Sequence, residues 1–167
     1  MASNTYEAIA TVTVGSGGAA NIEFTSIPST YTDLKLVFSI REETGTSYTM
    51  GIRFNGSTTT YTRIDIRGNG AAASSGSATN IEPIVNSSGA TASTFGNGEI
   101  YIPNYAGSTN KSSSVDSVSE NNATTSFIRM SATLWSTAAA INQITLVPDS
   151  GDFAQYSSAT LYGIKNS

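Results

Sequence analysis

The sequence predicts an all-β protein: a single β-sandwich domain of jelly-roll type, with about 8–10 antiparallel strands and little or no helix. Three observations predict it. Apolar and polar residues alternate in run after run along the 167 residues, which is the period of a strand with one buried face. Clusters of Gly, Ser, Asn and Pro punctuate these runs at spacings of roughly 8 to 20 residues, with no alternating helical segments between them. The chain holds 26 Ser and 23 Thr but only 12% charged residues, so its surface is neutral and hydroxyl-rich, as short strands and turns require.

The elements follow in order. Residues 1–5 form a short N-terminal arm, and 6–167 form the domain. Segments 6–14 and 20–27 are β-propensity runs joined by Gly15-Ser16-Gly17-Gly18, which predicts a hairpin, and Pro28 ends the second run. In 33–41, Leu34, Leu36, Phe38 and Ile40 fall on one face and Lys35, Ser39 and Arg41 on the other. In 48–54, Tyr48, Met50, Ile52 and Phe54 share a face, and Asn55-Gly56 supplies a turn. Segment 61–67 sets Ile64 and Ile66 against Arg63, Asp65 and Arg67, a half-exposed strand.

Residues 68–80 contain no large apolar side chain, so burial cannot offset their ordering entropy, and a long surface loop is expected. With a short extended piece at 81–85 and further loop at 86–94, they make a mobile flank over 68–94. Strands resume at 98–103 and at the Ser-rich 111–119. Segment 127–135 sets Ile128, Met130, Ala132 and Leu134 against Phe127, Arg129, Ser131, Thr133 and Trp135. Runs 141–147 and 159–164 close the chain, with room for at most one helical turn at 136–140.

The composition excludes several chemistries. Without His there is no Ser/His/Asp triad and no imidazole base or ligand. Without Cys there are no disulfides, thiolate nucleophiles or thiolate metal sites. The net charge is −4 with no basic block, so no nucleic-acid partner is expected. No segment is apolar enough to span a bilayer, and the first residues lack a signal-peptide pattern. No catalytic, cofactor or metal residue is assigned, and the chain is not expected to be an enzyme.

Three constellations offer weaker chemistry. Glu42-Glu43-Thr44-Gly45 reads as a solvated turn, although paired carboxylates could serve glycoside hydrolysis. Asp149-Ser150-Gly151-Asp152 could offer oxygen ligands to Ca²⁺, but a plain β-turn is the expected role. Tyr31, Tyr61, Tyr101, Tyr105, Tyr156 and Trp135 are expected to close core edges, with a sugar-stacking platform as the alternative. The Asn-x-Ser/Thr patterns at Asn55, Asn86, Asn110 and Asn122 are no more than such a composition produces.

Near the C-terminus, Ala140-Ile141-Asn142-Gln143-Ile144-Thr145-Leu146, Asp152-Phe153 and Ser157-Ser158-Ala159-Thr160-Leu161-Tyr162-Gly163-Ile164 resemble the ending of small virion structural proteins of tailed phages, especially cyanophages and other aquatic phages. The stretch from Phe24-Thr25-Ser26-Ile27-Pro28 to Asp33-Leu34, then Phe54-Asn55-Gly56 and Ile102-Pro103-Asn104-Tyr105, extends the resemblance over most of the chain. It implies a jelly-roll domain on the exterior of a bacteriophage virion, made in the host cytoplasm. The expected function is that of a capsid decoration (cement) protein, which binds the major capsid protein lattice and stabilises the head, as a homo-oligomer with a trimer favoured. The alternative is a fibre or knob domain binding host-surface carbohydrate. Trp135 would then lie in an exposed aromatic patch, whereas for a decoration protein it belongs to the core.

Overall fold

The computed structural model describes residues 5–122 and 126–165; of the predicted N-terminal arm, residues 1–4 lie outside the described residues. The described residues form eleven strands and no helix: β1 (Tyr6–Thr13), β2 (Ile22–Phe24), β3 (Asp33–Ile40), β4 (Met50–Phe54), β5 (Tyr61–Gly68), β6 (Ala73–Ala78), β7 (Gly96–Pro103), β8 (Lys111–Ser119), β9 (Phe127–Trp135), β10 (Ile144–Pro148) and β11 (Ser158–Ile164). They build an antiparallel sandwich of unequal sheets, eight strands in the order β1-β11-β3-β7-β8-β9-β5-β6 and three in the order β2-β10-β4. First and last strands interleave in both sheets, as in a jelly roll.

The alternation of β3 and β4 is buried as predicted. Leu34, Leu36, Phe38 and Ile40 meet Met50, Ile52 and Phe54 in one apolar cluster that also takes in Ile100, Ile102, Ile144, Leu146, Leu161 and Trp135. The Phe54 ring stands edge-on to Trp135 at 5.8 Å and to Tyr61 at 6.1 Å. The Tyr61 hydroxyl accepts the Phe54 N–H at 2.8 Å, so its one polar atom is satisfied inside the core.

One expected connection differs. β1 and β2 do not form a hairpin: β1 pairs with β11 and β2 with β10, so Gly15–Gly18 carries the chain from one sheet to the other. Asn55 and Gly56 do form the turn, with φ of 51° and 70°, but it passes the chain from β4 in the small sheet to β5 in the large one.

The 68–94 segment also differs from the expected loop. Residues 73–78 form β6, which pairs with β5 from Arg63↔Ala78 to Gly68↔Ala73. Its hairpin is closed by Asn69, whose Oδ1 accepts the N–H groups of Ala71 and Ala72 at 3.0 and 2.8 Å. Backbone pairing along a sheet edge supplies the order that its Ala, Ser and Gly side chains cannot. Residues 81–85 stay extended without forming a strand, bridging Ile81 to Ile52 and Ile84 to Thr49. Beyond them, the Arg41 guanidinium donates to the carbonyls of Thr91, Thr94 and Ala90 at 2.9, 3.1 and 3.2 Å, which ties down a stretch that has little core of its own.

Candidate functional site

The strands β5 and β9 are turned opposite to the usual amphipathic strand. Their charged and hydroxyl residues Arg63, Asp65, Arg129, Ser131 and Thr133 are buried, whereas Ile64, Ile66, Ile128 and Met130 are 69%, 63%, 55% and 56% exposed. An antiparallel sheet normally buries the apolar face and wets the polar one. The reason for the inversion is the layer beneath. The extended 80–86 segment pairs along one edge with β4 and the residues just before it, the Ile52 N–H donating to the Ile81 carbonyl and the Val85 N–H to the Tyr48 carbonyl, and the polar groups left over need partners on the large sheet.

Those partners come from the inner faces of β5, β8 and β9. Arg63 and Arg129 both donate to Glu82, at 3.1 and 3.5 Å to its carboxylate, and Arg129 also reaches the Glu82 carbonyl at 2.5 Å. Arg63 Nε donates to Asp65 Oδ2 at 2.9 Å, and Arg129 Nε lies 3.9 Å from Asp65 Oδ1. Ser117 Oγ accepts the Ile84 N–H at 2.9 Å. Two cations thus face two anions. Burial, followed by the neighbouring Arg63 charge, pulls Arg129 below its ordinary pKa, against the opposing pull of Asp65 and Glu82.

Fixing these polar groups inward forces the other face of each strand outward, because successive side chains alternate. Ile66 pairs with Met130, Ile64 with Ala132 and Gly68 with Ile128. A shallow hollow of about 270 Å³ is lined by Ile66, Gly68, Ala73, Ile128 and Met130 together with the charged Arg67 and Asp116, the latter directly opposite Met130 on β8. The patch is an apolar cluster flanked by charge, a composition that interfaces use. Single-residue reading of the sequence missed it; the signal available was the equal weight of the two faces in 61–67 and 127–135.

The other candidates are placed as follows. Tyr61, Tyr105 and Trp135 are buried, Tyr31 is half-buried, and only Tyr101 and Tyr156 are exposed, so the six aromatics make no common platform. Trp135, 2% exposed, is a core residue and cannot stack on a ligand. Glu42 is not solvated as expected: it is fully buried, its Oε1 accepts the Asp149 N–H at 2.6 Å, and its Oε2 has no partner. Burial pushes its carboxyl up to about 7, with the Asp149 N–H opposing and the Asp149 charge adding to the rise. Glu43 and Asp152 meet through the backbone, Glu43 N–H to Asp152 C=O at 2.9 Å. Among the described residues no group of three or more carboxylates is placed to hold a metal ion. Comparisons with protein families, curated proteins and solved structures found no match to this chain.

Proposed function

We propose that this chain is a structural protein of a tailed-phage virion: a capsid decoration protein that docks on the major capsid protein lattice outside the head and stabilises it. The observation that carries the reading is the apolar outer face of β5 and β9, held outward by the buried Arg63/Asp65/Arg129/Glu82 network. Four large apolar side chains side by side on one sheet face, Ile64, Ile66, Ile128 and Met130, are each more than half exposed, and such clusters mark interaction surfaces. The resemblance of the N-terminal third and the C-terminal strands to small virion proteins supports the same assignment. The role involves no chemical step: binding to the assembled shell and not to its dispersed subunits stabilises the shell by mass action. On the shell we propose a closed cyclic oligomer, a trimer, in which each copy also shields its neighbour's rim.

The test is to mix the purified protein with heads that lack it, count bound copies, and compare the melting temperature of the heads. Saturable binding at a copy number set by the icosahedral lattice, with a raised melting temperature, is the expected result. Absence of binding to heads overturns the reading.

A further inference from the structure

A second feature lies on the same outer sheet face, at its opposite end. Strand pairing places Ala8, Tyr162, Lys35 and Tyr101 in one row across β1, β11, β3 and β7. Tyr162 and Tyr101 therefore stand on either side of Lys35, two strand spacings or about 10 Å apart. Tyr101 is 37% exposed and Tyr162 half-buried, with the small, exposed Ala8 beside Tyr162. Tyr6 sits one row on, opposite Ile164 and on the same face. It is 52% exposed.

The rings are positioned. The Tyr101 hydroxyl donates to Asp33 Oδ2 at 2.7 Å, while Asp33 Oδ1 accepts the Asn104 N–H at 2.9 Å, which anchors that carboxylate to the β7 turn. Between the rings, Lys35 pairs through Nζ with Glu99 Oε2 at 2.8 Å; Glu99 is about half exposed and stands on β7 in the adjacent row, opposite Val37. The row thus alternates apolar ring, charged donor, apolar ring, with the Glu99 carboxylate alongside.

We propose that this row is a binding site for an extended saccharide chain lying across the strands. Two alternate pyranose rings would stack their C–H faces on Tyr162 and Tyr101, and the hydroxyls of the sugar between them would bond Lys35 and Glu99. Tyrosine suits this role, since its ring is apolar and its hydroxyl can be fixed by an acceptor, as Asp33 fixes that of Tyr101. The spacing of two strands equals the span of two sugar units in an extended chain, so the sheet itself sets the match. A proline-rich peptide would use the ring faces but has no hydroxyls for the ion pair, and the saccharide is favoured for that reason. This site is separate from the β5/β9 patch, and its success or failure is independent of docking on a head.

The test is calorimetric titration of the whole protein with linear oligosaccharides of β-1,4-linked glucose and of N-acetylglucosamine, as disaccharides and hexasaccharides, and with a proline-rich decapeptide. The expected result is that a hexasaccharide binds and its disaccharide binds about tenfold more weakly or not at all. Tyr101→Ala and Glu99→Gln should each weaken the hexasaccharide about tenfold, with a cooperative melting transition retained in both showing the fold intact. Tyr156→Ala, an exposed tyrosine outside the row, should leave affinity unchanged. No binding of any oligosaccharide, binding indifferent to Tyr101 and Glu99, or binding of the peptide alone would each overturn the proposal.

Discussion

Ile66 and Met130 face one another across β5 and β9 as a directly paired, solvent-exposed apolar couple, while Asp65 and Arg129, their neighbours in sequence, are buried beneath them. The two arrangements are one fact: fixing the charged side chains inward turns the apolar ones out. Met130→Lys, which faces Asp116 on β8, and Ile66→Lys should therefore each abolish binding to heads while changing stability by no more than about 1 kcal/mol. Denaturant unfolding and a binding assay on the same variants check this.

The inner half of that arrangement should be costly to break. Arg129→Met leaves Asp65 and Glu82 with Arg63 as their one remaining cation in a buried setting, and should destabilise the fold by about 3 kcal/mol. The exposed Lys165–Glu7 pair provides the contrast. Lys165→Ala should leave stability nearly unchanged, because exposed pairs contribute little. Urea melts of the two variants side by side distinguish the cases.

Trp135 sits in the core against Phe54 and Tyr61. Trp135→Ala should cost roughly 3 to 5 kcal/mol. Since its indole N–H has no partner, Trp135→Phe gives up no hydrogen bond and should cost clearly less. Equal losses in calorimetry would contradict this placement.

Glu42 makes stability depend on pH. Its carboxyl holds its proton up to about 7 in the folded chain but only to about 4.5 when unfolded. Between those values the folded state binds more protons, so stability falls as pH rises through the window and levels off above it, by at most about 3 kcal/mol. Glu42→Gln should flatten the slope and leave the variant the more stable of the two at pH 8. A slope unchanged by the substitution would exclude Glu42 as its source.

The parts of this fold that sequence revealed are those where local pattern and final environment agree. Leu34 to Ile40 and Met50 to Phe54 alternate and bury as the pattern says, and Ala159 and Leu161 complete the core near the C-terminus. β6 was invisible because an edge strand of Ala, Ser and Gly carries no side-chain signal; its order comes from backbone pairing with β5. The orientation of β5 and β9 was hidden because the partners that accept Arg63 and Arg129 come from Asn80 and Glu82, in a segment with no pattern of its own. Glu42 looked like part of a solvated turn, and its burial depends on a loop 107 residues away. The Tyr162–Lys35–Tyr101 row exists only through the register of β11, β3 and β7, which no single segment encodes.

Docking through the β5/β9 face is tested most directly by hydroxyl-radical footprinting of the free protein and of the protein bound to heads. Met130 is exposed and reactive, and fully buried Met50 serves as the internal control. Met130 should oxidise readily in the free protein and several-fold more slowly on saturated heads, with Met50 protected in both. Met130 oxidising equally fast in the two states, with the heads saturated, would contradict docking through this face.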